Sequence, residues 1–96
     1  MSGIDERYRK SSSIVSTQVG EGVILVPIRQ RAGDLDDVYT LNETAARIWE
    51  LIDGQRSLGE IRDLLVEEYD VSESQAQHDI VGLIAELETA GALERL

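Results

Sequence analysis

The sequence contains no cysteine and no phenylalanine, and only one proline, one histidine and one methionine in 96 residues. Without cysteine there is no disulfide framework and no thiolate metal site, a composition suited to a reducing compartment. With His78 as the single imidazole, a metal site would have to be built mainly from carboxylates. Aromatic side chains make up 4% of the chain, namely Trp49, Tyr8, Tyr39 and Tyr69. The longest apolar run, Val23 to Ile28, is broken by Pro27 and is far shorter than the roughly 20 residues a membrane span needs. The opening MSGIDERYRK lacks the apolar stretch of a secretory signal. These absences lead to the expectation of a cytoplasmic protein with no membrane partner.

Positive charge is also scarce. Nine Lys and Arg stand against 19 Asp and Glu, for a net charge of −10. The imbalance lies almost entirely in the second half: residues 1–41 carry a net −1, residues 42–96 a net −9, and no Lys or Arg occurs between Arg62 and Arg95. Affinity for DNA rests mainly on neutralising phosphates with basic side chains, so a nucleic-acid partner is not expected. No glycine-rich loop opens a helix; Gly20-Glu21-Gly22 joins two strand patterns instead. Nothing marks a strained nucleophile turn. The Asp34, Asp36, Asp37 cluster fails as a calcium loop, because counting from Asp34 puts Tyr39 where glycine is required and Ala45 where the bidentate glutamate belongs. The expectation is a non-catalytic chain with no cofactor and no metal.

What is present is well patterned. Hydrophobic residues form 42% of the chain, enough for one modest core but not for a deep substrate cleft. Residues 1–13 are polar and read as a flexible N-terminal arm, leaving residues 14–96 as the folded domain. From Ile14 the period is two, with Val15, Thr17 and Val19 on one face and Ser16 and Gln18 on the other. Val23 to Val26 reads as the return strand of a hairpin, ended or edged by Pro27. Residues 28–36 read as a polar loop with a turn at Gly33-Asp34, and Asp37 to Leu41 as a third strand.

After Leu41 the period becomes 3.6. Asn42 is an N-cap ahead of Ala45, Ile48, Trp49 and Ile52, a stripe that places Trp49 in the core, and Gly54 ends that helix. Ser57 with Glu60 and Ser72 with Gln75 are capping boxes for two further helices. The last helix carries Ala76, Ile80, Leu83, Ile84 and Leu87 on one face and is ended by Gly91. The order predicts an α+β, winged-helix-like domain: a three-stranded antiparallel sheet followed by three helices. His78, Val81 and Ala85 make a second, narrow stripe on the third helix, read either as a broad core face or as one wall of a groove.

The segment LNETAARIWELIDG, residues 41–54, resembles the PqqD-like family, the recognition elements of ribosomally made peptide natural products. The likeness continues through SLGEIRDLLVEEYDVSESQAQHDIVGLIAELETAGAL and spans roughly residues 8–95. Its most specific marks are Leu41-Asn42-Glu43-Thr44, Ile48-Trp49, Asp53-Gly54 and Glu68-Tyr69-Asp70-Val71. The loop IRQRAGDLDDV is longer than the tight second turn common in that family. The resemblance implies a peptide chaperone that binds the leader of a precursor peptide as an added strand and presents it to a modifying enzyme, often a radical SAM maturase. It places the peptide between Val38, Tyr39, Thr40 and Leu41 on one side and His78, Val81 and Ala85 on the other. The acidic third helix suggests a leader with basic residues beside its apolar anchors. The alternative is a protein–protein interaction or homodimerisation module whose strand edge pairs with a second copy.

Overall fold

The computed structural model describes residues 5–27 and 38–96. The expected Gly33-Asp34 turn, the Asp34, Asp36, Asp37 cluster and the start of the third predicted strand at Asp37 lie outside them. The elements run β1 (Tyr8–Lys10), β2 (Ile14–Val19), β3 (Gly22–Pro27), β4 (Tyr39–Leu41), α1 (Glu43–Leu51), α2 (Leu58–Tyr69), α3 (Glu73–Thr89) and β5 (Leu93–Arg95). This is the expected α+β fold. β2, β3 and β4 form a three-stranded antiparallel sheet in that order, and β1 pairs with β5 in a separate two-stranded sheet.

The register fixes which way the sheet faces. Val23 and Leu25 of β3 and Leu41 of β4 point into the core. Val15, Thr17 and Val19 of β2 lie opposite Val26, Ile24 and Gly22, so they share the outer face, where Val15 and Val19 are about half exposed. The inner layer is helical. Ile48, Trp49, Ile52, Ile61, Leu65, Ile80, Ile84 and Leu87 are all buried in one cluster with Leu25.

The helix ends follow the local chemistry. Asn42 accepts from the Ala45 N–H at 2.9 Å. Ser57 and Glu60 form a reciprocal capping box. Ser72 accepts from the Gln75 N–H, but the Gln75 side chain does not return to the cap; its Nε2 donates to Asp79 Oδ1 at 2.9 Å. At the far end of α3, Gly91 adopts φ +81°. The Ala92 N–H donates to the Leu87 carbonyl and the Gly91 N–H to that of Glu88. This Schellman closure turns the chain directly into β5.

Residues 1–13 read from sequence as a loose arm; of these, the described residues 5–13 are held against the rest of the fold. Tyr8, Arg9 and Lys10 pair with Arg95, Glu94 and Leu93. Tyr8 is 4% exposed. The Leu58 N–H donates to the Glu6 carbonyl, the Leu96 N–H to Arg7 and the Ser11 N–H to Ala92. Arg9 pairs with Glu94 and Arg95 with Glu6. The Lys10 ammonium lies 5.1 Å from the Trp49 ring centroid, a favourable placement over an aromatic face. A polar sequence is held here because its backbone groups find partners on both sides and one tyrosine reaches the core.

Arg47 joins α1 to α2. It donates twice to Glu68 at 2.8 Å and once to Glu50. That guanidinium holds the Glu68 carboxyl below its usual range, and the N–H groups of Arg56 and Gln55 do the same for Asp53. Both values are lowered on folding, so this stabilisation is present at neutral pH and is lost as pH falls through the carboxylate range.

Gly82 sits inside α3 with nothing within 4 Å of where a Cβ would lie. Glycine in a helix interior costs about 0.5–1 kcal/mol relative to alanine. Gly82→Ala is therefore expected to raise Tm by about 2–8 °C for a domain of this size. A thermal melt showing no rise would mean that the open space over Gly82 is filled in solution.

Candidate functional site

β4 is a terminal strand of its sheet, so one side of it has no strand neighbour among the described residues. The hairpin shows which backbone groups face that side. Val19 and Gly22 close a two-residue loop whose first residue, Gly20, has φ +60°. Such a loop is closed by a hydrogen-bonded pair, and the pairs then alternate along an antiparallel ladder. Val15, Thr17 and Val19 bond to β3, and Val23 and Leu25 turn their N–H and C=O groups towards β4. Leu41 and Tyr39, opposite Val23 and Leu25, therefore bond back to β3. Thr40 directs its N–H and C=O to the free edge, with its exposed side chain on the outer face. The short approach of β4 to the hairpin depends on Gly22, where any Cβ would collide with the Leu41 carbonyl.

Two clefts flank this edge, both closed on the far side by α3. The first, about 280 Å³, lies between the start of α1 and the middle of α3 and is lined by Asn42, Thr44, Ala45, Ile48, Asp79 and Leu83. The second, about 400 Å³, lies under the sheet at the C-terminal end of α3, between Ile14, Leu25, Pro27 and Tyr39 on one side and Thr89, Ala90 and Ala92 on the other. Tyr39 points towards the inner face with its cross-strand partner Leu25. Together the edge and clefts make a groove with a backbone hydrogen-bonding wall and a lining of mixed polar and apolar groups.

The residues singled out from sequence divide between this groove and another face. Val38, Tyr39 and Thr40 lie at its β4 wall, exposed. Leu41 is 4% exposed and belongs to the core, and its backbone bonds back to β3, so it anchors β4 rather than offering a contact surface. His78, Val81 and Ala85 do not line these two clefts. Val81 is two residues from both Asp79 and Leu83, which is about 200° around the helix axis. When Asp79 and Leu83 face the groove, Val81 faces away from it. Val81 and Ala85 line a small depression with Glu6, Tyr8, Leu58, Ile84 and Glu88 on the β1 side. His78 and Val81 line an open surface formed along α3 itself with Glu73, Ser74, Gln77 and Gly82. The second stripe on α3 is thus a separate, exposed face.

The residues that do form the α3 wall were less legible. Leu83 counts as core by periodicity, and Asp79 is one of several acids on the third helix. The available signal was their shared position on one flank of the core stripe. Among the described residues, no group of His, Asp and Glu is arranged to hold a metal ion, and no helix is long and apolar enough to cross a membrane.

No curated protein matches the chain. Two solved structures share its fold. The complex of TbiB1 with the TbiA(beta) leader peptide matches with a TM-score of 0.74 and 24% identity, over 90% of this chain and 94% of that one. Lasso peptide synthetase B1 complexed with its leader peptide matches with a TM-score of 0.75 and 27% identity, over 92% and 98%. The model of the family described as coenzyme PQQ synthesis protein D (PqqD) matches residues 21–93, a span that holds β3, β4, all three helices and every residue lining the two clefts except Ile14. With most of its length inside that model and the fold in agreement, this chain belongs to the PqqD family.

Proposed function

We propose that this protein binds the leader segment of a ribosomally synthesised precursor peptide as an added strand on β4, and presents it to a modifying enzyme such as a radical SAM maturase. The observation that carries this reading is the free β4 edge, with Thr40 directing its backbone outward beside two clefts closed by α3. An exposed edge is a template for strand addition: main-chain bonds give affinity, and pockets beside the strand give specificity. The two structures of like fold were both solved with a leader peptide, which supports the same use here. The peptide would run along Val38, Tyr39, Thr40 and Leu41, with Asp79 and Leu83 on the α3 side in place of His78, Val81 and Ala85. No residue is assigned chemistry of its own, no cofactor is required, and the site of action is the cytoplasm, where precursor and enzyme meet.

The test is an NMR titration of labelled protein with the leader peptides of precursors encoded beside its gene. Amide shifts concentrated at residues 39–45, 79–83 and 89–92, saturating at micromolar peptide, are the expected result. Shifts confined to residues 74–85 on the outer face of α3 would overturn the groove. The competing use of the same edge, pairing with a second copy, would appear as size that grows with concentration in the absence of peptide.

A further inference from the structure

The cleft at the start of α1 has an uneven lining. Ala45, the buried Ile48 and the half-buried Leu83 line it with apolar side chains, while Asn42, Thr44 and the exposed Asp79 line it with polar ones. Such a site suits a side chain with a long aliphatic stem and a polar end. Asp79 decides the sign of that end. Its Oδ1 accepts from Gln75 Nε2 at 2.9 Å, one helical turn away, which holds the carboxylate in place. Among the described residues no Lys or Arg is paired with it; the Arg side chains of α1 and α2 are committed to Glu50, Glu68 and Asp63. α3 has no Lys or Arg of its own; its one imidazole is His78, the residue before Asp79. The Asp79 carboxylate thus stands beside the apolar side chains of the cleft with no described Lys or Arg paired to it.

We propose that the peptide received by this groove carries one lysine or arginine whose stem fills the cleft over Ala45, Ile48 and Leu83 and whose charge meets Asp79. This rests on the peptide-binding reading above and adds to it a chemical class of residue and its place. Electrostatic complementarity of this kind chiefly sets specificity and encounter rate. At a partly exposed site the pair is worth only about a fivefold change in affinity, while wrong-sign peptides are disfavoured by the surrounding net charge of −10.

A selection of random 12-residue peptides displayed on their own messenger RNA, run against the full chain, tests this. Enriched peptides are expected to carry Lys or Arg at a constant offset from an apolar residue. Repeating the selection with Asp79→Asn is expected to erase the preference at that position alone, and with Asp79→Lys to turn it towards Asp or Glu. Asp79 is exposed, so both variants should melt like the parent protein. Enriched peptides that shift the amides of residues 39–41 but show no basic preference, or one that survives Asp79→Lys, would overturn the assignment of Asp79 and leave strand addition standing. Failure to enrich any peptide that moves those amides would overturn the peptide-binding reading, and this inference with it.

Discussion

Trp49→Ala is expected to destabilise the domain by about 3–5 kcal/mol, the usual cost of truncating a large buried aromatic to alanine. Trp49 is 4% exposed in a cluster that draws on both sheets and all three helices. Its ring also lies beneath Lys10, so the truncation removes a contact that holds β1. A domain of this size has a total stability of only about 5–14 kcal/mol. The variant therefore loses a large fraction of what keeps it folded, and its Tm should fall by at least about 12 °C. Urea unfolding followed by far-UV circular dichroism gives the free energy directly, provided some folded protein remains. Trp49→Phe keeps most of the volume and should cost well under half as much, which separates a cavity effect from general intolerance. A Tm within about 4 °C of the parent for Trp49→Ala would show that the ring does not fill the core.

Trp49 also shows why the helical half could be read in advance. Ala45, Ile48, Trp49 and Ile52 recur at a spacing that only a helix turns to one side, and Asn42, Ser57 and Ser72 announce the starts through short-range chemistry. Each of those signals is local. β1 and β5 carry no such signal, because three residues are too few to display alternation. Tyr8-Arg9-Lys10 finds its partner 85 residues away, across the whole fold. Composition marked that segment as polar, and it is polar, but polarity does not prevent pairing when the backbone finds an edge and opposite charges such as Arg9 and Glu94 face each other.

The candidate site was legible on one side only. The β4 wall followed from a strand reading over residues 37–41. The α3 wall required the rotation of the helix about its own axis. His78, Val81 and Ala85 share a face, as their spacing says, but spacing cannot tell which neighbour the face meets. That is set by where β1 and α2 pack: Glu6, Tyr8 and Leu58 occupy the flank on which Val81 and Ala85 lie, leaving Asp79 and Leu83 for the groove. The same uncertainty hid the divided role of Gln75, which reads as the return partner of a capping box and instead steadies Asp79.

Thr40→Pro is expected to abolish peptide binding, weakening it by a hundredfold or more, while leaving the domain folded. The two β3-facing residues of β4, Tyr39 and Leu41, keep their ladder bonds, because the alternation that pairs them with Leu25 and Val23 points the Thr40 N–H away from the sheet. Proline is tolerated on an edge strand when the lost donor faces outward. An added strand would lose that donor outright, meet the pyrrolidine ring at its closest approach, and leave its own carbonyl unpaired, a cost of about 1–3 kcal/mol for the carbonyl alone. Calorimetric titration with the peptide that saturates the NMR shifts measures the loss, and a thermal melt verifies the fold. Thr40→Val is the control: it keeps the N–H, changes only an outward side chain, and should bind like the parent. Val81→Glu places a charge on the far flank of α3, where Val81 is 48% exposed, and should also bind normally. If Thr40→Pro stayed folded and bound peptide at parent affinity, strand addition at β4 would be wrong. If Val81→Glu alone lost binding, the peptide would have to lie on the outer face of α3, against the β1 side of the molecule.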